Sequence, residues 1–296
     1  MGVATELVAD VHNHVGEGPA WDDRDGSLLW IDIVPGHVFK LTVATGELTQ
    51  ITLGQETSVC IPRASGGYVV GLQDGIFGLD KIADGWSLEP LVDVELDNPG
   101  NLMNDCKCDA LGRLWGGTRS RDWIPATGGL YRVEPNLTAH QVLNGLNVSN
   151  GIGWNPEFTR MYFVDSKPEP GTLDVLDFDL ETGTATNRRT FVEIPNEPGY
   201  SADGLAVDAE GYVWLALLGA SAVYRYAPDG SLDDVVALPT KQPTSCCFGG
   251  PDLTDLYVTS GNVDMTDAEH EADPHAGGVF VVNLGVKGQP TIPFAG

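Results

Sequence analysis

Basic residues are scarce in this chain: 16 lysines and arginines stand against 42 aspartates and glutamates, a formal net charge of -26. Such an excess repels nucleic-acid phosphates and anionic lipid surfaces, so neither nucleic acid nor membrane is an expected partner. The acidity fits a salt-rich habitat or plain solubility equally well. Long apolar runs are missing too. No stretch approaches the ~18 residues a membrane helix requires, and the opening MGVATELVADVHNHV shows no basic segment followed by an apolar one. A soluble, cytoplasmic protein is expected. Cysteine is sparse and odd in number (Cys60, Cys106, Cys108, Cys246 and Cys247), with no C-x-x-C element. That excludes a disulfide framework and a zinc knuckle, leaving buried free thiols, with Cys106 and Cys108 on one face of a strand. There is no G-x-S-x-G elbow for a serine nucleophile and no glycine-rich phosphate loop between a strand and a helix.

What the chain does have is glycine (37), proline (19) and 42% hydrophobic residues, a composition of many short strands joined by tight turns. One phrase recurs six times, a turn rich in Asp, Pro or Gly followed by a short apolar strand. Its copies are DDRDGSLLWIDI, PRASGGYVVGL, CDALGRLWGGT, NPEFTRMYFVDS, DAEGYVWLAL and GPDLTDLYVTS. After each comes a strand pair about a Gly- or Pro-containing turn, as in HVFKLTVATGELTQIT and, last, GGVFVVNLGVKGQPTIPF. Six units of about four strands, with no helical period between them, describe an all-β, six-bladed β-propeller occupying residues 1–296 as one domain. The early segment Glu6 to Val11 has no partner in its own unit and is expected to close the ring as the last strand of the sixth blade.

Upstream of each phrase lies the segment expected to line the central channel. Equivalent positions read Glu17, Ser58, Asn104, Asn150, Asp203 and Ser245, at steps of 41 to 53 residues. Residues at matching blade positions converge on one axis, so Glu17, Asn104, Asn150 and Asp203 are expected in one channel. All four are followed directly by Gly or Asp, as a tight backbone at the start of a strand requires. Two carboxylates and two amides form a hard-oxygen set suited to Ca²⁺ or Mg²⁺. Without a cation, facing carboxylates repel and raise a pKa.

The motifs GEGPAWD, NDCKCDALGRLWGGT, SNGIGW, ADGLAVDAEGYVWLAL and TSCCFGG with GGVF resemble the senescence marker protein, gluconolactonase and luciferin-regenerating enzyme family over essentially the whole chain. The resemblance implies a six-bladed propeller with one divalent cation held by Glu17, Asn150 and Asp203, and a substrate-side Asn104. Where that family commonly carries an arginine two residues before the Asn, this chain has Leu102. The change removes a polyol-binding guanidinium and is expected to leave an apolar pocket wall. Arg119, in GGTRSRDW, starts a long loop expected to overhang the channel and is the candidate replacement.

These readings converge on a metal-dependent lactonase acting on a small-molecule lactone. Water adds to the ester carbonyl, and Asp203 is the candidate base or orienter of that water. Ca²⁺ is the expected ion, with Mg²⁺, Mn²⁺, Fe²⁺ and Zn²⁺ open to the same donors. Two alternatives stay open: a hydrolase of aromatic esters, aromatic lactones or phosphotriesters on the same site, and a noncatalytic calcium-binding propeller. Asp105 is assigned to backbone amides at the start of its strand. His12 and His14 are placed on one strand face near the channel without a third ligand, and Trp30, Trp115, Trp154 and Trp214 are assigned to blade packing. The closed ring is expected to stand as a monomer.

Overall fold

In the computed structural model, which describes residues 4–296, the repeated phrase becomes six four-stranded antiparallel sheets arranged as a six-bladed β-propeller. The blades span residues 16–52, 59–93, 101–146, 149–192, 201–237 and 243–283, each running outward from an inner strand. The phrase recurs because its aspartate organises the turn. In blade 3, Asp109 accepts the backbone N–H groups of Leu111 and Arg113 through Oδ1, and the Trp115 indole N–H at 2.9 Å through Oδ2. Asp208 repeats this in blade 5 with Glu210, Tyr212 and the Trp214 indole. A buried carboxylate needs several donors, and the D-x-x-G-x-x-W spacing supplies them.

Hydrophobic packing is concentrated where neighbouring blades meet. The junction of blades 4 and 5, for example, joins Tyr162, Val164 and Leu173 to Leu205, Val213 and Leu215. Middle strands are covered on both faces, so Val213–Leu218 is apolar along its length, whereas the outer strand Leu232–Ala237 is largely exposed. This accounts for continuous apolar runs where a half-buried strand would alternate. Trp30 stacks on Phe39, Trp115 meets Trp154 and Phe178, and Trp214 meets Phe248, so all four repeat tryptophans serve packing. The five cysteines are free and buried, with Cys106 and Cys108 in one cluster.

Ring closure follows the expectation with shifted limits: Thr5–Ala9 pairs with Val279–Asn283 at the outer edge of blade 6. That arrangement corrects the last repeat. Only Val279–Asn283 of GGVFVVNLGVKGQPTIPF is a strand, because the N-terminal strand already fills the edge position. Residues 284–296 cross the lower end of the channel instead. Gln289 donates to the Trp154 carbonyl at 2.9 Å, Thr291 accepts the Trp21 N–H at 3.1 Å, and Ala295 donates to the Gly112 carbonyl at 3.0 Å. The Phe294 ring is fully buried between blades 2 and 3. One short helix, Asp267–Ala272, is capped by Thr266 and Glu269 in a capping box. No helix among the described residues is long and apolar enough to cross a membrane.

Candidate metal centre and channel mouth

The inner strands deliver their polar residues through a shared irregularity. The pairing of the inner strand with its neighbour slips between Glu17 and Ala20, Met103 and Cys106, Ser149 and Ile152, Ala202 and Leu205, and Pro243 and Ser245. A slipped ladder turns a side chain away from the sheet, here toward the axis. Glycine follows Asn150 and Asp203 because neighbouring inner strands crowd together. A Cβ on Gly151 would stand 2.6 Å from the Asp203 carbonyl oxygen, and one on Gly204 would stand 2.0 Å from Ser245 Oγ.

Glu17, Ser58, Asn104, Asn150 and Asp203 all line a cavity of about 500 Å³ at the upper end of the channel. Ser245 does not. Because the ladder slips within Pro243–Gly249, Thr244 faces this cavity and Ser245 faces a smaller one, about 160 Å³, at the lower end. Nor does Leu102 form an apolar wall of the upper cavity. It is buried and lines a separate hollow beside Glu95 and Met103, where an isobutyl group gains more from burial than at a polar mouth. His12 and His14 precede the strand Gly16–Asp22 and share no strand face. His12 adopts a left-handed backbone and sits exposed near Asp10, while His14 borders the cavity and contacts Asn262 Oδ1 at 3.3 Å.

At the cavity floor, Asn150 Nδ2 donates to Ser166 Oγ at 3.0 Å and to Asp203 Oδ1. Glu17 shares a hydrogen bond with Asp203, and its Oε2 accepts the Gly18 N–H at 2.8 Å. Burial, and then the charges of Asp203 and Asp105, hold the Glu17 carboxyl well above the usual carboxylate range. Burial, and then Asp105, push Asp203 up to about 8. The two carboxyls thus retain a proton that water would remove. Asp105 is raised as well, chiefly by burial, and the Lys107 ammonium opposes that shift. Lys107 donates to the Leu205 carbonyl at 2.6 Å and borders the lower cavity, while Asp105 borders both cavities. Asp105, assigned from the sequence to backbone amides alone, therefore also belongs to the charge cluster. The sequence signal was present in the carboxylate immediately after Asn104.

Among the described residues, no three His, Cys, Asp or Glu side chains converge closely enough to form a cation site by themselves. The set is two carboxylates and an amide. A divalent cation fits it on two observations: the donors are hard oxygens held in burial with uncompensated repulsion, and Asn150 Oδ1 is buried without any hydrogen-bond partner.

Above the floor, Asn104 is tied on both sides. Its Nδ2 donates to the Ser149 carbonyl at 2.8 Å and its Oδ1 accepts Arg119 Nε at 3.2 Å. Arg119 stands opposite Leu102 in the antiparallel pair, so its guanidinium reaches the channel from the adjacent strand. It lies 4.7 Å from the Trp123 ring centre, with Lys167 Nζ 5.9 Å from the same ring. The loop carrying Trp123 is fastened by Asn101, whose Nδ2 donates to the Thr127 carbonyl at 2.8 Å and to Glu95 at 2.7 Å, and by Asn147, which accepts the Ala126 N–H at 3.0 Å. Sequence reasoning missed Trp123, because nothing in a lone Trp of a polar loop shows what it overhangs.

Residues 15–262 match the model of the SMP-30/Gluconolactonase/LRE-like region. Regucalcin of Xenopus laevis is 33% identical over 301 residues, covering 99% of each chain. Among solved structures, a calcium-binding protein, regucalcin, of Agrobacterium tumefaciens superposes with a TM-score of 0.93 at 30% identity, covering 99% of this chain and 98% of that one. A luciferin-regenerating enzyme superposes with a TM-score of 0.91 at 31% identity, covering 99% of both chains.

Proposed function

Because the chain belongs to the SMP-30/gluconolactonase/LRE-like family, we propose that it is a metal-dependent hydrolase that opens small lactones at the upper cavity. The observation that carries this reading is the meeting of Glu17, Asn150 and Asp203 at the floor of a cavity large enough for a small ring. When bound, a divalent cation, Ca²⁺ in the first instance, supplies Lewis acidity toward the ester carbonyl and neutralises the two carboxylates. Glu17, Asn150 and Asp203 would hold it. In the reaction the oxygen of water bonds to the carbonyl carbon, the ring C–O bond breaks, and the released alkoxide takes up a proton, giving a hydroxy acid.

The remaining work falls to side chains of this one chain. Asp203 keeps part of its surface open to the cavity; in the carboxylate form that a bound cation would favour, it orients the attacking water and takes up its proton. Asn104, fixed by Ser149 and Arg119, has one amide N–H left to give the substrate. Arg119 supplies a guanidinium over the bound ring. The C-terminal segment lies across the lower end of the channel.

The test is a panel of sugar and aromatic lactones with the native protein, the chelated protein and Asp203→Ala. Turnover is expected to disappear with chelation, to return with added cation, and to be lost together with cation retention in Asp203→Ala. Turnover unchanged in that variant contradicts the assignment. The calcium-binding description of the Agrobacterium relative favours a second reading, a propeller that binds calcium without turnover; a cation retained with no lactone or ester hydrolysed selects it.

A further inference from the structure

Arg119 is the anomaly at this site. The chain has 42 acidic residues, and its cations are mostly matched: Arg121 pairs with Glu56, Lys167 with Glu169, and Arg188 with Asp174. Among the described residues, Arg119 belongs to no ion pair, although it is largely buried and borders the upper cavity. Its Nε and Nη1 are engaged by Asn104 and by the Ser120 carbonyl at 3.2 Å each, and Nη2 makes no hydrogen bond among the described residues. A desolvated guanidinium without a carboxylate is costly. Glu17, Asp105, Asp203, Glu169 and Asp264 line the same cavity, yet among the described residues none of them forms an ion pair with Arg119.

Trp123 makes the same point. It has a left-handed backbone, with φ of 58°, and is 60% exposed, so it gains little from packing. Its ring is nevertheless held against Arg119 by a fastened loop. Strain and exposure together at a cavity mouth mark a contact surface.

Resting on the lactone-hydrolase reading, we propose that the substrate carries a carboxylate on the side of its ring turned away from the reacting carbonyl, and that Arg119 binds this group against the Trp123 indole. The two ends of the cavity then divide the recognition. The floor takes the ester carbonyl, and the wall takes the second anion through the free guanidinium edge. Acidic residues remote from the site are screened beyond about 8 Å at physiological ionic strength. Of the carboxylates lining the cavity, Glu169 is paired with Lys167, and Glu17 and Asp203 lie at the floor, while the Arg119 guanidinium and Lys167 Nζ flank the Trp123 ring where the second anion is placed.

The test uses the calcium-loaded protein and a matched pair of lactones, one bearing a pendant carboxylate and the other its primary carboxamide. In the wild type, kcat/KM is expected to favour the acid by about 10- to 100-fold, the range for one charge-assisted contact. Arg119→Gln should collapse that preference toward unity, and Arg119→Lys should restore part of it. Equal kcat/KM for the two lactones in the wild type, or an unchanged ratio in Arg119→Gln, overturns the proposal. Calorimetry with the same pair of compounds separates its failure from that of the hydrolase reading. If neither lactone turns over, the hydrolase reading fails, and tighter binding of the acid than of the amide by wild type but not by Arg119→Gln still upholds the anion site. Equal binding sinks it.

Discussion

Replacing Asp203 by asparagine should stabilise the metal-free protein while removing its cation site. In the folded chain, burial and Asp105 push the Asp203 carboxyl up to about 8 from its ordinary 3.8. Once the pH exceeds the unfolded value, the unfolded chain gives up this proton and the folded chain keeps it. The unfolded state then binds fewer protons, so stability falls as pH rises from about 4 to about 8 and levels off above. Over the interval from pH 5 to pH 8 a fully retained proton corresponds to about 4 kcal/mol. Water in the cavity beside Asp203 screens part of this, leaving on the order of 2–4 kcal/mol. Asparagine is nearly isosteric and does not titrate, and it also relieves Glu17, which the Asp203 charge raises. Thermal unfolding in chelator across pH 5 to 8 should show a falling midpoint for wild type and a flatter profile for Asp203→Asn, with the variant several degrees higher at pH 8, at about 2 °C per kcal/mol. Added Ca²⁺ should raise the wild-type midpoint most at pH 8 and leave the variant unmoved. A variant less stable than wild type at pH 8 in chelator, or wild type with no such slope, refutes the reasoning.

Other perturbations follow from the packing. Gly204→Ala places a methyl group 2.0 Å from Ser245 Oγ, an overpacking expected to cost about 1–3 kcal/mol in denaturant unfolding and to lower cation affinity by displacing Asp203. Phe294→Ala empties a fully buried site between blades 2 and 3 and should cost about 3–5 kcal/mol; a cost below about 1 kcal/mol would show that the C-terminal segment does not brace the ring. Glu95→Ala deprives Asn101, Thr118 and Tyr131 of a shared acceptor. It should destabilise by about 2–4 kcal/mol and raise KM for lactones more than it lowers kcat, by loosening the Trp123 loop.

The floor of the site was legible because its residues share a blade position, and a repeat turns sequence period into spatial convergence. Glu17, Asn150 and Asp203 needed only that rule to be placed together. Ser245 escaped it by one residue, since pairing slips within the inner strand of blade 6 and a slip of one reverses which side chain faces the cavity. Leu102 and Arg119 were readable as residue types but not as a cross-strand pair, because their register is fixed by pairing between strands. The tail GVKGQPTIPF, with its glycines, prolines and scattered apolar residues, has the composition of a hairpin. Only the occupation of the blade 6 edge by Thr5–Ala9 sends it under the channel.

The most direct check is anomalous diffraction from crystals soaked in Mn²⁺ as a stand-in for Ca²⁺. One ion bonded to oxygens of Glu17, Asn150 and Asp203, at roughly 2.0–2.6 Å, is the predicted result. An ion bound elsewhere in the channel, or none in the presence of saturating cation, contradicts it.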